Sequence, residues 1–381
     1  MKKAENPFLF GALALDASFT NRERERDELA SDIRNGQDVV LFAPRRYGKS
    51  SLIWATMQAL AGDGVLVAHV DLMTTPTKER LASALAGAIY EHVASPLERV
   101  WEKATAPFRG LRVQPAMSVD PLTGAVGFSF STARESADID ATIEQLLELP
   151  AELGADRRRR VALVFDEFQE IVEIDPQLPR LMRAVFQRQP EVAHVYLGSK
   201  RHVMERIFND RNEPFWRSAK PMELDPIPAG EFSRFLEERF EATGRDCEPA
   251  AISRLLELTG GHPYATQELA YFLWEQTPEG AIASEDRLSA ALDAVLRAEH
   301  SHFTLLWEDA STVQRLVLQA LAREPGHPQS TAYRDRHGLP SAASVQKALR
   351  ALTQREIVTG DRGAYRIVQP FLAEWLRGYG R

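Results

Sequence analysis

Apolar residues recur along this chain at two different spacings, and the switches between them predict its elements. The charged, helix-friendly stretch from Arg22 to Arg34 stops at Asn35-Gly36, and the apolar run Val39-Val40-Leu41-Phe42 follows, so the reading is helix, turn, strand. After residues 43–48, the segment Lys49 to Leu60 places Leu52, Ile53, Ala55, Thr56, Ala59 and Leu60 at helical spacing and ends at Gly62-Asp63-Gly64. A second strand spans Val65 to Val70, and Thr77 to His92 reads as a helix. Strand, helix, strand, helix in this order predicts a parallel sheet with helices on both faces.

The stretch from Arg112 to Ser131 differs. Two short alternating segments flank Asp120-Pro121-Leu122-Thr123-Gly124, a turn cluster, which predicts an inserted β-hairpin. A helix around Asp140 to Leu153 comes next, then Arg157 to Arg160 as a solvated loop. The unbroken apolar run Val161 to Phe165 follows, closed by Asp166-Glu167, as a central strand buried on both faces would be. Val192 to Leu197 is a further strand ending at Gly198-Ser199. Beyond Pro221 the spacing is helical throughout, with Phe232, Phe235, Leu236 and Phe240 on one face. From Ser311 the order is helix 311–323, short helix 330–337, helix 341–355 and two strands around Asp361-Arg362-Gly363, the order of a winged helix-turn-helix.

Composition narrows the class. The 381 residues are 44% hydrophobic with 22 Gly and 22 Pro, which excludes disordered, collagen-like and coiled-coil chains. Cys247 is the one cysteine, so neither an internal disulfide nor a cysteine-based zinc site can form, and a reducing cytoplasm is the expectation. The apolar segment Phe8 to Leu15 is too short to span a membrane and, with Glu5, Pro7 and Asp16 around it, reads as part of the fold rather than a signal peptide. His300-x-His302 lacks a third ligand at metal spacing, so no structural metal is expected. Charge is uneven. Ser311 to Arg381 carries 11 Lys+Arg and 5 Asp+Glu, a net of +6 on a chain whose total is −8. A basic module on an acidic body suits either a nucleic-acid contact or an internal dock.

The chemistry concentrates in two places. Ala43-Pro44-Arg45-Arg46-Tyr47-Gly48-Lys49-Ser50 matches the phosphate-binding pattern G-x-x-x-x-G-K-[ST] except for alanine at the first position, and Ser51 follows. A strand enters and a helix leaves, so backbone N–H groups would face phosphate, Lys49 would reach the β/γ-phosphates and Ser50 would ligate Mg²⁺. Ala43 raises one question, since a left-handed backbone at that position would disfavour any side chain. Asp166, at the end of its strand, would hold Mg²⁺, and Glu167 would take a proton from an attacking water, which favours hydrolysis over group transfer.

With these pieces in view the chain resembles the archaeal-type P-loop ATPases, within an AAA-related clade that includes STAND signalling and origin-recognition ATPases. The resemblance rests on Asn6-Pro7-Phe8, Phe19-Thr20-Asn21-Arg22-Glu23, the phosphate-binding loop, Asp166-Glu167-Phe168-Gln169, Gly198-Ser199 and Gly260-Gly261-His262-Pro263. It departs from the family at Asn21 and Ala43, where glycine is usual. It implies a P-loop ATPase core over 1–225, a helical lid over 226–304 and a winged helix over 305–381. It further implies ATP and Mg²⁺ as cofactors, with Arg22, His262 and Pro263 beside the nucleotide. Ser199 would be a sensor near the γ-phosphate, and Arg217 would compensate phosphate charge in its own or a neighbouring subunit. Arg45 and Arg46 either face phosphate or hold the lid.

Within helix 341–355, Val345, Leu349 and Leu352 form the core face and leave Ser344, Lys347 and Arg350 outside. With Arg362 and Arg366 nearby, this surface either contacts duplex DNA or docks on another part of the protein. Three functions follow as expectations. The first is an ATP-hydrolysing switch whose nucleotide state repositions the winged helix. The others are a DNA-binding regulator with ATP as a slow ligand, and a scaffold with permanently bound nucleotide.

Overall fold

The computed structural model describes residues 5–11, 22–93, 108, 111–112, 115–119, 126–130 and 136–379. The chain divides into two compact units, one formed by residues 23–43 and 52–224, the other by 1–22, 44–51 and 225–381.

The first unit is built on a five-stranded parallel sheet of β1 (Val39–Phe42), β2 (Leu66–Asp71), β5 (Val161–Asp166), β6 (Val192–Gly198) and β7 (Lys220–Glu223), in the order β2-β5-β6-β1-β7. Strands β5 and β6 are buried at every position, as strands in the middle of a helix-covered sheet are, and β6 buries His194 with its apolar residues. The register pairs Val161 with Leu66 on one side and with Val192 on the other, so β5 carries Asp166 to the end of the sheet beside Asp71. Strand β7 corrects the expectation of helix throughout beyond Pro221. Its residues Lys-Pro-Met-Glu show no strand pattern, yet they pair with β1 from Val39↔Lys220 to Phe42↔Glu223. Pro221 is tolerated because β7 is an edge strand, where one row of N–H groups needs no partner.

Helices Glu23–Arg34, Lys78–Ala88, Ser136–Arg157, Leu178–Phe186 and Arg201–Asn209 accompany the sheet. Thr77 caps the second of these by accepting from Arg80 N–H. The third is longer than its sequence pattern suggested and carries Pro150 inside it. The fourth and fifth, which the periodicity did not predict, bring Phe186 and Phe208 against β5 and β6, where Phe165, Phe168, Tyr196 and Phe215 complete an aromatic core. The inserted hairpin is present as β3 (Ala116–Val119) and β4 (Val126–Ser129), paired antiparallel, while its turn cluster at 120–124 lies outside the described residues. Arg159 and Arg160 of the basic run are not merely solvated. Arg159 donates to Gly64 O, and Arg160 donates to Pro190 O at 3.2 Å.

The second unit is mainly helical: Ala229–Glu241, Pro249–Thr259, Pro263–Glu275 and Glu285–Glu308, with a two-residue parallel pairing of β8 (Asp246–Cys247) and β9 (Ile282–Ala283). The last of these helices is continuous across residues 304 and 305. The winged helix follows as helices Thr312–Arg323, Thr331–His337 and Ala342–Gln354, then β10 (Val358–Asp361) and β11 (Ala364–Ile367). Each of its three helices begins on a serine cap, Ser311, Ser330 or Ser341, and Ser311 with Gln314 forms a reciprocal capping box. The two strands do not end the domain: helix Pro370–Tyr379 packs Phe371, Leu372, Trp375 and Leu376 into the core of this unit. His300 Nδ1 accepts from Trp375 Nε1 at 3.1 Å, so this histidine has a structural partner. Among the described residues no group of three or more histidines, cysteines and carboxylates is placed to hold a metal ion, and no helix is long and apolar enough to cross a membrane.

Candidate nucleotide site

Strand β1 runs directly into the phosphate-binding loop. Arg46 and Gly48 adopt left-handed conformations, φ 65° and 84°, whereas Ala43 does not have a positive φ. The alanine at the first motif position is therefore unstrained. Left-handed residues within a turn are one element of the backbone concavities that bind anions. The space a side chain would fill at Gly48 is open, as it must be where backbone approaches a ligand. Lys49, buried at the first turn of helix Lys49–Gly62, donates to Pro44 O at 3.1 Å. Ser50 is exposed and Ser51 buried on the same turn.

The loop is surrounded by cations from its own unit. Arg22, 3% exposed, donates to Tyr47 O at 3.3 Å. The Arg46 guanidinium lies 4.2 Å from the centre of the Tyr264 ring. Tyr47 is buried edge-on against His262, ring centres 4.7 Å apart, and its hydroxyl accepts from Arg366 of β11 at 3.4 Å. Arg45 forms an ion pair with Glu356 at 3.1 Å. The sequence reading left Arg45 and Arg46 between phosphate and lid. In the structure Arg46 touches helix Pro263–Glu275 and Arg45 touches the winged helix.

His262 and Pro263 open helix Pro263–Glu275. His262 caps it through Nδ1, accepting from Ala265 N–H at 3.3 Å, and Pro263 occupies the first turn, where a missing N–H costs nothing. Burial, with the charges of Arg366 and Arg46, lowers the His262 pKa to about 4, so the imidazole is neutral and its cap acceptor is intact at physiological pH. One turn on, Glu268 is 1% exposed, and its Oε2 has no hydrogen-bond partner among the described residues. Burial raises its pKa to about 8, Glu299 adding to the rise and Arg46 opposing it. A neutral Glu268 leaves the Arg46 charge to other anions.

The first unit contributes a second constellation at the ends of β5 and β6. Asp166 Oδ1 accepts from Glu167 N–H at 2.9 Å, and Asp166 Oδ2 lies 3.8 Å from His69 Nε2 on β2. Glu167 is held in a left-handed conformation, φ 50°, and strain of this kind concentrates at functional sites. Its Oε2 accepts from Ser199 Oγ at 2.7 Å and from Gln169 Nε2. Ser199, expected as a sensor, is thus bonded to the candidate base. Arg217 is exposed on a separate loop of this unit, at φ 50°, its N–H donating to Phe208 O at 2.9 Å and its guanidinium 5.5 Å from the Trp216 ring.

The family described as an ATPase domain predominantly from Archaea matches residues 19–269. The chain belongs to this family. Its fold class and ATPase character follow, and a probable winged helix domain matches residues 301–378. Among solved structures, the chain is similar to a Walker-type ATPase of Pyrococcus abyssi, at 18% identity over 96% of this chain and 97% of that one, with a TM-score of 0.65. It is also similar to the ORC2 protein of Aeropyrum pernix, solved in ADPNP–ADP complexes, at 14% identity over 94% and 93% of the two chains, with a TM-score of 0.53. No curated protein matches the chain.

The side chains expected to hold Mg²⁺ have suitable chemistry. A hydroxyl at Ser50 and a carboxylate at Asp166 are hard oxygen donors of the kind Mg²⁺ takes. Of the family's motif Phe19-Thr20-Asn21-Arg22-Glu23, residues 19–21 lie outside the described residues. On the winged helix, Lys347, Arg350 and Arg362 are exposed. Sequence reasoning did not find the roles of Gln169, Glu268 and Glu356. Gln169 was legible as the fourth residue of Asp-Glu-Phe-Gln. Glu268 lies in ordinary helical sequence and Glu356 in the turn after a helix, and both acquire meaning only from what folds against them.

Proposed function

We propose that this ATPase hydrolyses ATP and uses its nucleotide state to reposition the winged helix. The observation that carries the reading is that one phosphate-binding loop touches both reporters: Tyr47 and Arg46 meet His262 and Tyr264, while Arg45 and Tyr47 meet Glu356 and Arg366. An occupant that changes the loop therefore changes contacts in lid and wing, the requirement for a ligand-biased two-state element. In the reaction the loop N–H groups and Lys49 would bind the phosphates, and Ser50 and Asp166 would hold Mg²⁺, which would neutralise phosphate charge. Glu167 accepts the proton of the attacking water, oriented through its hydrogen bonds to Ser199 and Gln169. Arg217 adds positive charge, and Arg22, His262 and Pro263 hold the loop and lid around the nucleotide. The ADPNP and ADP bound by the Aeropyrum protein make ATP and ADP the nucleotides to assay first.

Steady-state phosphate release with Mg²⁺ tests this. Lys49→Ala should abolish turnover, and Glu167→Gln should retain ATP binding while turnover falls about 10²-fold or more. Unchanged turnover in Glu167→Gln would remove Glu167 from the mechanism. A tightly bound nucleotide with no turnover in the wild type would favour the scaffold role.

A second reading has duplex DNA as a partner, favoured by the exposure of Lys347, Arg350 and Arg362 on the winged helix. Phosphate contacts would make binding fall steeply with salt. Fluorescence anisotropy with labelled duplex at several salt concentrations decides it, and absence of binding at low salt would end it.

A further inference from the structure

Glu356 is the turn residue that closes helix Ala342–Gln354 and leads into β10, and three features single it out. Its backbone is left-handed, φ 57°, a conformation that disfavours side chains other than Asn, Asp and Gly. It is fixed by a hydrogen bond from its own N–H to Thr353 O at 3.0 Å, and Arg355 before it pairs with Asp309 at 2.6 Å. Its carboxylate faces the phosphate-binding loop: Oε2 pairs with Arg45, while Oε1 is buried without a hydrogen-bond partner among the described residues. An unsatisfied buried carboxylate oxygen is costly. A negative group in that position lies beside a loop whose cations, Lys49, Arg45 and Arg46, all favour anions.

We propose that Glu356 is an anionic competitor for Arg45, so that the docked winged helix lowers the nucleotide affinity of the phosphate-binding loop and bound nucleotide loosens the dock. This deepens the switch reading and rests on it: Arg45 serves either the carboxylate or a nucleotide phosphate, and the carboxylate gives up its one ion pair when phosphate arrives. Because the coupling between two equilibria is reciprocal, whatever docking through Glu356 takes from nucleotide affinity, bound nucleotide takes from the contribution of Glu356 to docking. The Arg366–Tyr47 hydrogen bond, 3.4 Å, is the second arm of the same dock. It is a neutral acceptor contact and does not compete for phosphate charge.

The test uses the full chain with a fluorescent ADP analogue, comparing wild type, Glu356→Gln, Arg45→Ala and the double variant at low salt. Arg45 is half exposed, with 56% of its side chain accessible, so the pair has the strength of a partly screened contact. Glu356→Gln should bind the analogue about 2- to 5-fold tighter, as removal of an ion pair of about 0.5–1 kcal/mol implies. Glu356→Asn, which tolerates the left-handed backbone, should do the same and guards against a folding defect. Arg45→Ala should weaken binding and erase the effect of the second substitution. Hydrogen exchange at residues 355–367 should rise in wild type on adding nucleotide. Equal or weaker binding by Glu356→Gln and Glu356→Asn, with normal wild-type binding, overturns the competition alone. Failure of wild type to bind any nucleotide overturns both this inference and the switch.

Discussion

Glu268→Gln isolates one buried acid of the helical second unit and yields a pH dependence of defined sign. The side chain is 1% exposed on helix Pro263–Glu275, with one oxygen unpartnered. Burial and the neighbouring Glu299 raise its pKa from 4.5 to about 8. The folded value is raised, so the unfolded chain releases this proton first. Stability from this group is fully present below pH 4.5 and is lost as pH rises toward 8. Each pH unit in that window costs about 1.36 kcal/mol. Allowing for partial ionisation at both ends, the loss between pH 5 and pH 8 is about 3 kcal/mol, an order-of-magnitude figure. Glutamine keeps the size and removes the proton. Urea denaturation at pH 5, 6, 7 and 8 should show the variant gaining on wild type by about 3 kcal/mol across the range. Above pH 8 ionised Glu268 becomes a rival anion for Arg46, so wild-type nucleotide affinity should fall there while the variant holds. A stability difference constant with pH would refute the argument, because it would place Glu268 ionised in the folded state or accessible to water.

Two other substitutions test how the scaffold holds the constellations. Phe215→Ala removes a ring with no exposed surface that packs on Phe168, Tyr196 and Phe208 at 5.4–5.6 Å between centres. It should cost about 3–5 kcal/mol in chemical denaturation, and a cost under about 1 kcal/mol would show that the loop bearing Trp216 and Arg217 is not anchored there. Arg245→Lys retains charge but loses the fork that donates to Thr277 O at 2.6 Å and Thr243 O at 2.8 Å while lying 3.7 Å from the Trp274 ring. A loss of about 1–3 kcal/mol is expected, and a neutral outcome in the same assay would mean that lysine restores both carbonyl contacts.

The sequence by itself determined the elements whose signals are local. Apolar runs specified β1 and β5, largely apolar ones each holding one histidine specified β2 and β6, and Ser311, Ser330 and Ser341 marked the starts of the winged-helix helices, because burial pattern and capping act within a few residues. The phosphate-binding loop was equally legible, since its glycine, lysine and serine are required by backbone geometry and charge at fixed spacing. Tertiary structure decided the rest. Lys220–Glu223 is a strand because β1 offers an unpaired edge, and helix Pro370–Tyr379 forms because Phe371, Trp375 and Leu376 find a core already assembled. The partners of Arg45 and Tyr47 lie more than 300 residues along the chain, at Glu356 and Arg366. The neutrality of Glu268 likewise depends on what buries it. Hydrogen bonds and desolvation act through space, and no periodicity in the sequence carries the identity of a residue that folding brings from so far away.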